Sequence, residues 1–252
     1  MSSIPWYVTA FRADYVDRYA HRNEAEAKAN TRALVEWLPL RRTDSILDLA
    51  CGAGRYLVAL HQAGFTRLVG LDLSTDLLDR ARNRLRELGI SDVQLIHGDM
   101  RKIGLAGRFD TVLSLFSSFG YFADDPTNAA VIRQMAGALR TGGTVVIDTM
   151  NPPRVQATLV ADEQFSEGDQ HVHITRRITP ERRVEKHVVL SRAGVRCDEF
   201  FESVRMYDGE EMTVMLEAAG FEDIRFAGAL DGRVHSLASP RLVVAATKGS
   251  HA

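Results

Sequence analysis

The sequence has few cysteines, an almost balanced charge and no long apolar run. Its two cysteines among 252 residues, Cys51 and Cys197, are too few for a disulfide framework, which favours a reduced, cytoplasmic protein. The formal net charge of −2 gives no electrostatic reason for a nucleic-acid partner. No apolar run approaches the roughly 20 residues that span a bilayer, and the N-terminus lacks the basic and apolar regions of a signal peptide. We therefore expect a cytoplasmic protein with no membrane and no nucleic-acid partner.

A glycine pair, Gly52 and Gly54, follows a short apolar strand and opens a helix. Glycine lets the backbone turn sharply and come close to a bound ligand. A second strand follows and ends in the carboxylate Asp72. A dinucleotide fingerprint would place a third glycine where this chain has Leu57, which disfavours a nicotinamide cofactor. The segment therefore predicts half of a nucleotide-binding α/β fold and leaves the nucleotide open.

Apolar strands alternate with amphipathic helices over the first 150 or so residues. This alternation predicts an α/β, Rossmann-like, doubly wound fold, with a seven-stranded and mostly parallel sheet that the C-terminal part completes. A helix is expected from about Phe11 to Trp37. The predicted strands are residues 45–49, 67–73, 93–97, 109–115, 144–149, 224–228 and 242–247.

The pattern changes to period-two alternation after strand five. Three such stretches, residues 170–179, 183–191 and 195–207, predict an antiparallel β insertion. The expected organisation is a cofactor-binding core with an N-terminal helical cap, an insertion that acts as a substrate lid or as the contact of a homodimer, and a completion of the core sheet. These units cover residues 1–153, 154–207 and 208–252.

Five short motifs occur in a fixed order along the core. They are Leu47-Asp48-Leu-Ala-Cys51-Gly52-Ala-Gly54, Gly70-Leu-Asp72-Leu-Ser74, Gly98-Asp99-Met100, Phe109-Asp110 and Leu139-Arg-Thr-Gly142-Gly143. Together they resemble the class I S-adenosylmethionine-dependent methyltransferases, and the run 118–122 resembles the branch that acts on small molecules. The resemblance covers most of the chain and is strongest over residues 45–151.

The resemblance implies a binding site for S-adenosylmethionine. It implies that Asp72 accepts hydrogen bonds from the ribose hydroxyls, that Asp99 accepts one from the adenine amino group, and that Met100 packs on the adenine. The methionine tail would pass close to the backbone of the glycine turn. Read from the residues themselves, Asp48 is expected to be structural, holding that turn through backbone amides rather than touching the cofactor. The full set of expected cofactor residues is Tyr15, Arg22, Ala50, Gly52, Gly54, Asp72, Leu73, Asp99, Met100 and Leu115.

Catalytic residues are harder to predict than cofactor residues. His171 and His173 share one face of a predicted strand and His187 lies across the hairpin, but no acidic or cysteine ligand completes a set, so no metal is expected. His171, His173 and Tyr121 are candidate bases for an acceptor that must lose a proton. Aromatic residues predict an apolar or ring-bearing acceptor pocket. They are Trp6, Tyr7, Phe119, Tyr121 and Phe122.

The predicted function is methyl transfer from S-adenosylmethionine to an oxygen or nitrogen atom of a small molecule, by in-line displacement. Two alternatives stay open at this point. One is a nicotinamide-dependent oxidoreductase, and the other is a non-catalytic module that keeps the methyltransferase fold and uses the insertion to bind a protein.

Overall fold

A computed structural model describes residues 4–11 and 24–250 of the chain. The described helices are α1 (Trp6–Thr9), α2 (Glu24–Trp37), α3 (Arg55–Gln62), α4 (Thr75–Glu87), α5 (Asp125–Ala138), α6 (Pro152–Thr158) and α7 (Gly209–Glu217). The strands of the larger sheet are β1 (Ser45–Leu49), β2 (Arg67–Asp72), β3 (Gln94–His97), β4 (Phe109–Ser114), β5 (Leu139–Met150), β10 (Phe221–Ala227) and β11 (Arg241–Lys248). Those of the smaller sheet are β6 (Asp162–Glu167), β7 (Gln170–Ile178), β8 (Arg183–Arg192) and β9 (Val195–Arg205).

The larger sheet has seven strands in the order β10-β11-β5-β4-β1-β2-β3. The pairs from β3 to β5 are parallel, whereas β11 is antiparallel to both β5 and β10. This arrangement confirms the predicted α/β class and the mostly parallel sheet. Strand β1 is buried along its whole length, because helices cover both faces of the sheet. Their carboxyl ends therefore meet at one edge, where ligands bind in such folds.

The smaller sheet has four antiparallel strands in sequence order. It follows strand five, as predicted, but β6 and α6 were not predicted. All residues of β6 except Phe165 are polar, and residues 162–166 are exposed, so the strand lacks the alternation by which a half-buried strand is recognised in sequence. The division at residues 154 and 207, and the role of the sheet as a lid or a homodimer contact, stay predictions. Size-exclusion chromatography with light scattering tests the second of these.

Other boundaries differ from the predictions for local reasons. Strand β5 begins at Leu139 rather than Thr144, because a bulge with Gly142 at φ +74° keeps the stretch paired with β4. Phe11 lies in a bend after α1 and not in a helix, and α2 begins at Glu24 among the described residues. The intervening part of the predicted helix lies outside the described residues. No helix in the described ranges is both long and apolar enough to cross a bilayer.

Candidate active site

The carboxyl ends of β1 to β4 open into one cleft. It encloses about 1170 Å³ of space, part of which is open to solvent. Two neighbouring loops and the N-terminal segment complete the wall. The lining residues are Tyr7, Phe11, Asp48, Ala50, Cys51, Gly52, Ala53, Arg55, Tyr56, Leu71, Asp72, Leu73, Leu77, Arg84, Gly98, Asp99, Met100, Leu115, Phe116, Ser118, Tyr121 and Phe122.

Most of the predicted cofactor residues meet in this cleft. Those that line it are Ala50, Gly52, Asp72, Leu73, Asp99, Met100 and Leu115. Gly54 is not among the lining residues; it is the N-cap of α3 with φ +75°, and a Cβ there would lie 3.1 Å from the Cβ of Ala81. The close approach of α3 to α4 therefore explains why a glycine occupies position 54. Tyr15 and Arg22 lie outside the described residues.

Asp72 connects the end of β2 to the glycine turn. Its Oδ2 accepts a hydrogen bond from the Gly52 N–H at 2.8 Å, and its Oδ1 accepts one from the Ser74 N–H at 2.8 Å. Burial raises the pKa of Asp72, and these two N–H donors oppose the rise. Ser74 also donates from its hydroxyl to the carbonyl oxygen of Phe11 at 2.6 Å. Ser74 therefore links the Asp72 carboxylate to Phe11 in the N-terminal segment.

Asp48 does not hold the glycine turn through backbone amides, so that prediction is wrong. Its side chain is buried at the cleft, and its Oδ2 has no hydrogen-bond partner among the described residues. The turn is held instead by Asp72 and by the Leu71 carbonyl oxygen, which accepts from the Ala50 and Cys51 N–H groups. Burial, and then the charge of Asp72, raise the pKa of Asp48 to about 7, whereas Arg55 lowers it.

Asp99 forms an ion pair with Arg101, a residue that the sequence motifs do not mark. The Arg101 N–H donates to Asp99 Oδ1 at 2.8 Å, and the guanidinium contacts both carboxylate oxygens at 2.6 to 3.0 Å. Arg101 holds the pKa of Asp99 below its usual range against the effect of burial. The same guanidinium lies 4.9 Å from the centroid of the Phe122 ring. Its position two residues after an acid is the only signal in the sequence, and such pairs are common on surfaces.

Aromatic rings from two distant parts of the chain form one side of the cleft. Tyr121 stacks on Phe11 with centroids 5.6 Å apart and meets Trp6 edge-on at 4.9 Å. Tyr7 meets Phe122 edge-on at 5.3 Å. We call these five residues the aromatic wall. The fifth predicted acceptor residue, Phe119, points into the core instead, where it is 1% exposed and packs on Tyr207.

The turn after β4 is strained and held by a carboxylate from β5. Phe116 and Ser117 have φ values of 65° and 62°, which cost of order 1–3 kcal/mol each for residues other than glycine. Asp148 Oδ2 accepts from the Phe116 N–H at 2.9 Å, and Arg241 donates to Asp148 Oδ1 at 2.6 Å. The Phe116 ring lies between the guanidinium groups of Arg55 and Arg241, at 4.3 and 5.5 Å.

The histidines of the smaller sheet lie apart from this cleft. His173 pairs with Asp162 at 2.8 Å and His187 with Glu199 at 3.1 Å, and His171 is exposed. None of them lines the cleft, so among the three candidate bases the structure brings only Tyr121 to it. Within the described ranges, no three histidine, cysteine or acidic side chains are arranged to hold a metal ion.

Comparison with known proteins identifies a methyltransferase domain within the chain. A family model described as a methyltransferase domain matches residues 46–143, which contain the glycine turn, Asp72 and Asp99. This match and the relatives below support the predicted class I S-adenosylmethionine-dependent methyltransferase family. The cofactor of this family is S-adenosylmethionine, so the predicted family and cofactor are confirmed, and the family assignment replaces the nicotinamide alternative.

Two curated relatives and one solved structure illustrate the similarity. The chain is 35% identical over 133 residues to a dTDP-3-amino-3,4,6-trideoxy-alpha-D-glucopyranose N,N-dimethyltransferase of Streptomyces venezuelae, a match that covers 53% of this chain and 50% of that protein. It is 26% identical over 235 residues to a dTDP-4-amino-2,3,4,6-tetradeoxy-D-glucose N,N-dimethyltransferase of Saccharopolyspora spinosa, covering 89% and 92% of the two chains. The CcbJ methyltransferase of Streptomyces caelestis has the same fold, with a TM-score of 0.82 at 18% identity over 98% and 100% of the chains.

The described residues of the cleft fit this cofactor. S-adenosylmethionine carries hydroxyl and amino donors and positive charge, and the cleft presents acidic side chains to it. The Oδ2 of Asp48 in particular is a buried acceptor that needs a donor from a ligand, because an unpartnered buried polar atom is costly.

Proposed function

We propose that the protein transfers the methyl group of S-adenosylmethionine to the nitrogen atom of a small-molecule amine. The observation that supports this proposal most directly is that Asp72 and Asp99, at the ends of two neighbouring strands, line the same cleft as the glycine turn. The choice of nitrogen follows the names of the relatives above, which act on amino sugars. The acceptor pocket is the part of the cleft that the aromatic wall borders.

The side chains of the cleft bind and orient the cofactor. Asp72 accepts from the ribose hydroxyls, Asp99 accepts from the adenine amino group, and Met100 packs on the adenine face. The turn at Gly52 lets the methionine tail pass close to the backbone. Leu115 and Phe116 border the space beyond the tail. When bound, the cofactor supplies an electrophilic methyl group on a sulfonium sulfur.

The reaction depends more on the alignment of the acceptor nitrogen with the methyl group than on the removal of a proton by the protein. With cofactor and acceptor bound, transfer would break the bond between methyl carbon and sulfur and form one between methyl carbon and acceptor nitrogen, and the product amine would then lose a proton to solvent. A neutral amine requires no base, and of the three bases predicted from the sequence only Tyr121 lines the cleft. Positioning of the two reactants can by itself supply about 7–11 kcal/mol of the barrier.

Calorimetry with S-adenosylhomocysteine, the demethylated cofactor, tests the cofactor site. We expect micromolar binding by the wild type and none by Asp72→Ala. Asp79→Ala is the control, because Asp79 is 68% exposed on α4, where it pairs with Arg82. Failure of the wild type to bind would refute the proposal.

A transfer assay tests the acceptor. The protein is incubated with isotope-labelled S-adenosylmethionine and a panel of small amines that includes dTDP-linked amino sugars. Label in an amine product, absent with Asp72→Ala, supports N-methylation. Intact cofactor binding with no transfer to amines or alcohols would favour the non-catalytic alternative.

A further inference from the structure

The aromatic wall has two halves that come from different parts of the chain. Trp6, Tyr7 and Phe11 belong to the N-terminal segment, whereas Tyr121 and Phe122 lie in the loop after β4. The halves meet ring to ring, because Phe11 stacks on Tyr121 and Tyr7 meets Phe122 edge-on. The groups that fix each half in place therefore also fix the acceptor side of the cleft.

The N-terminal half of the wall is linked to Asp72 through Ser74. The Ser74 N–H donates to Asp72 Oδ1 at 2.8 Å, and the Ser74 hydroxyl donates to the Phe11 carbonyl oxygen at 2.6 Å. The same hydroxyl oxygen accepts from the Leu77 N–H at 3.2 Å, so it also caps α4. The helix end thus orients both groups of Ser74, and Phe11 keeps a fixed position relative to the Asp72 carboxylate.

The other half of the wall is linked to Asp99 through Arg101. The backbone N–H, Nε and Nη2 of Arg101 all donate to the Asp99 carboxylate. A carboxylate offers about four lone-pair sites, so one site at Asp99 is left for a ligand. The Arg101 guanidinium lies 4.9 Å from the centroid of the Phe122 ring and 5.9 Å from that of Tyr7, within the range of cation–π attraction.

We propose that Ser74 and Arg101 are positioning residues for methyl transfer, each of which couples one nucleoside-binding acid to one half of the aromatic wall. A nucleoside that donates hydrogen bonds to Asp72 and Asp99 restrains both carboxylates, and the two links restrain the wall in turn. The acceptor side of the cleft is therefore most rigid when the cofactor is bound. Because such coupling is reciprocal, an acceptor that contacts the wall strengthens cofactor binding. The inference rests on the proposed function, which makes these two acids the binding site of the nucleoside.

Acrylamide quenching of Trp6 fluorescence measures how tightly the wall is held. Trp6 contacts Phe11 and Tyr121 but is not among the residues that line the cleft, so a ligand shields it through the wall rather than by direct contact. In a Trp37→Phe background, saturation with S-adenosylhomocysteine should reduce the quenching of Trp6. Adenosine, bound to saturation, should do the same, because it carries the ribose hydroxyls and the adenine amino group.

Variants at Ser74 test the first link. Ser74→Gly removes the hydroxyl but keeps the backbone N–H that serves Asp72, and glycine is tolerated at a helix N-cap. We expect this variant to bind S-adenosylhomocysteine and to lose most of the shielding of Trp6 at saturation. Ser74→Thr restores a hydroxyl and should restore the shielding. Since all variants are compared at saturation, a change in affinity does not enter the comparison.

Variants at Arg101 test the second link. Arg101→Lys keeps the positive charge beside Asp99 but loses the planar group that lies over Phe122, and it should also lose most of the shielding. Arg233→Lys is the matched control. Arg233 makes the same set of contacts with Asp231, again two residues earlier, on a part of the chain that does not line the cleft. The control should keep the full shielding of the wild type.

Four results would count against the inference. If calorimetry shows that S-adenosylhomocysteine binds but the quenching of Trp6 does not change, the inference fails and the proposed function stands. The same follows if S-adenosylhomocysteine shields Trp6 and saturating adenosine does not. A variant at Ser74 or Arg101 that keeps the full shielding shows that its residue makes a structural contact only. If the unmutated protein binds no S-adenosylhomocysteine, the proposed function fails together with the inference. The ligand comparisons need no variant at either link, so a folding defect there would not decide the outcome.

Discussion

The guanidinium of Arg183, the first residue of β8, donates a hydrogen bond to the carbonyl oxygen of Phe122 at 2.9 Å. It also contacts the carbonyl oxygens of Gly120 and Tyr121, and donates to the Ser203 hydroxyl at 2.8 Å. Arg183, at the start of β8, thus fixes the loop that carries Tyr121 and Phe122 of the aromatic wall. The two sheets are joined at the place where the acceptor is proposed to bind.

Arg183→Ala should destabilise the protein by roughly 2–3 kcal/mol, because several carbonyl groups lose a charged donor. Arg183→Lys should recover only part of this, since an ammonium group lacks the planar fork of a guanidinium. Chemical denaturation measures both. Arg177→Ala is the control on the same sheet; its side chain is 77% exposed and its loss should cost no more than about 0.5 kcal/mol. Equal effects at the two positions would contradict the role given to Arg183.

Gly120→Ala should prevent stable folding or strongly destabilise the chain. Gly120 has φ +93°, and a Cβ there would overlap the carbonyl oxygen of Arg205. Gly137→Ala is the matched control inside α5, where no atom lies within 4 Å of the added Cβ, and it should stabilise the protein by about 0.5–1 kcal/mol. Thermal unfolding compares the two, and a tolerated Gly120→Ala would show that the loop can move away from β9.

Asp48→Asn should stabilise the ligand-free protein at pH 8 and change it little at pH 4. Burial raises the pKa of Asp48 to about 7 from the ordinary value of 3.8, so the folded state holds a proton that the unfolded state has lost. Stability from this group is therefore complete below about pH 4 and is lost as pH rises through 7, by at most about 4 kcal/mol. Unfolding curves across this range measure the difference. A pH-independent difference between variant and wild type would contradict the expectation.

Trp6 should report occupancy of the cleft by fluorescence. The chain has two tryptophans, and Trp6 contacts Tyr121 whereas Trp37 ends α2. In a Trp37→Phe background, saturation with S-adenosylhomocysteine should change the emission of Trp6, because the neighbouring Phe11 and Tyr121 line the cleft. Tyr121→Ala in the same background should reduce the change. If the emission of Trp6 stays unchanged when calorimetry shows the site to be saturated, the ligand does not contact the aromatic wall.

The core sheet was predictable because each buried strand and its following turn left a local signal. The apolar run of β1, the glycine turn and Asp72 lie close together in sequence, and the fold only brings their ends together. Strand β6 gave no such signal, since all of its residues except Phe165 are polar and it pairs at the edge of a small sheet. Helix α1 is four residues long, too short for a periodicity to be visible.

The site was predictable only where a short motif marks it. Asp99 follows a strand and belongs to a motif, but the bond from Arg101 and the stacking of Arg101 on Phe122 depend on side-chain geometry. Phe119 and Tyr121 look alike in sequence and point in opposite directions, into the core and into the cleft. The hydrogen bond from the Phe116 N–H to Asp148 joins the turn after β4 to β5, and α5 separates these two strands in the chain.

The antiparallel pairing of β5 with β11 also sets an order for assembly during translation. Asp148 and Arg241 are 93 residues apart, and the whole smaller sheet lies between them in the chain. Strand β11 cannot take its place beside β5 until residues up to 248 have left the ribosome, although the glycine turn emerged some 200 residues earlier. Because non-local pairings form slowly, the four-stranded sheet can close first from its local hairpins. The turn at Phe116 is then completed only after residue 241 has been synthesised, when Arg241 reaches the carboxylate of Asp148.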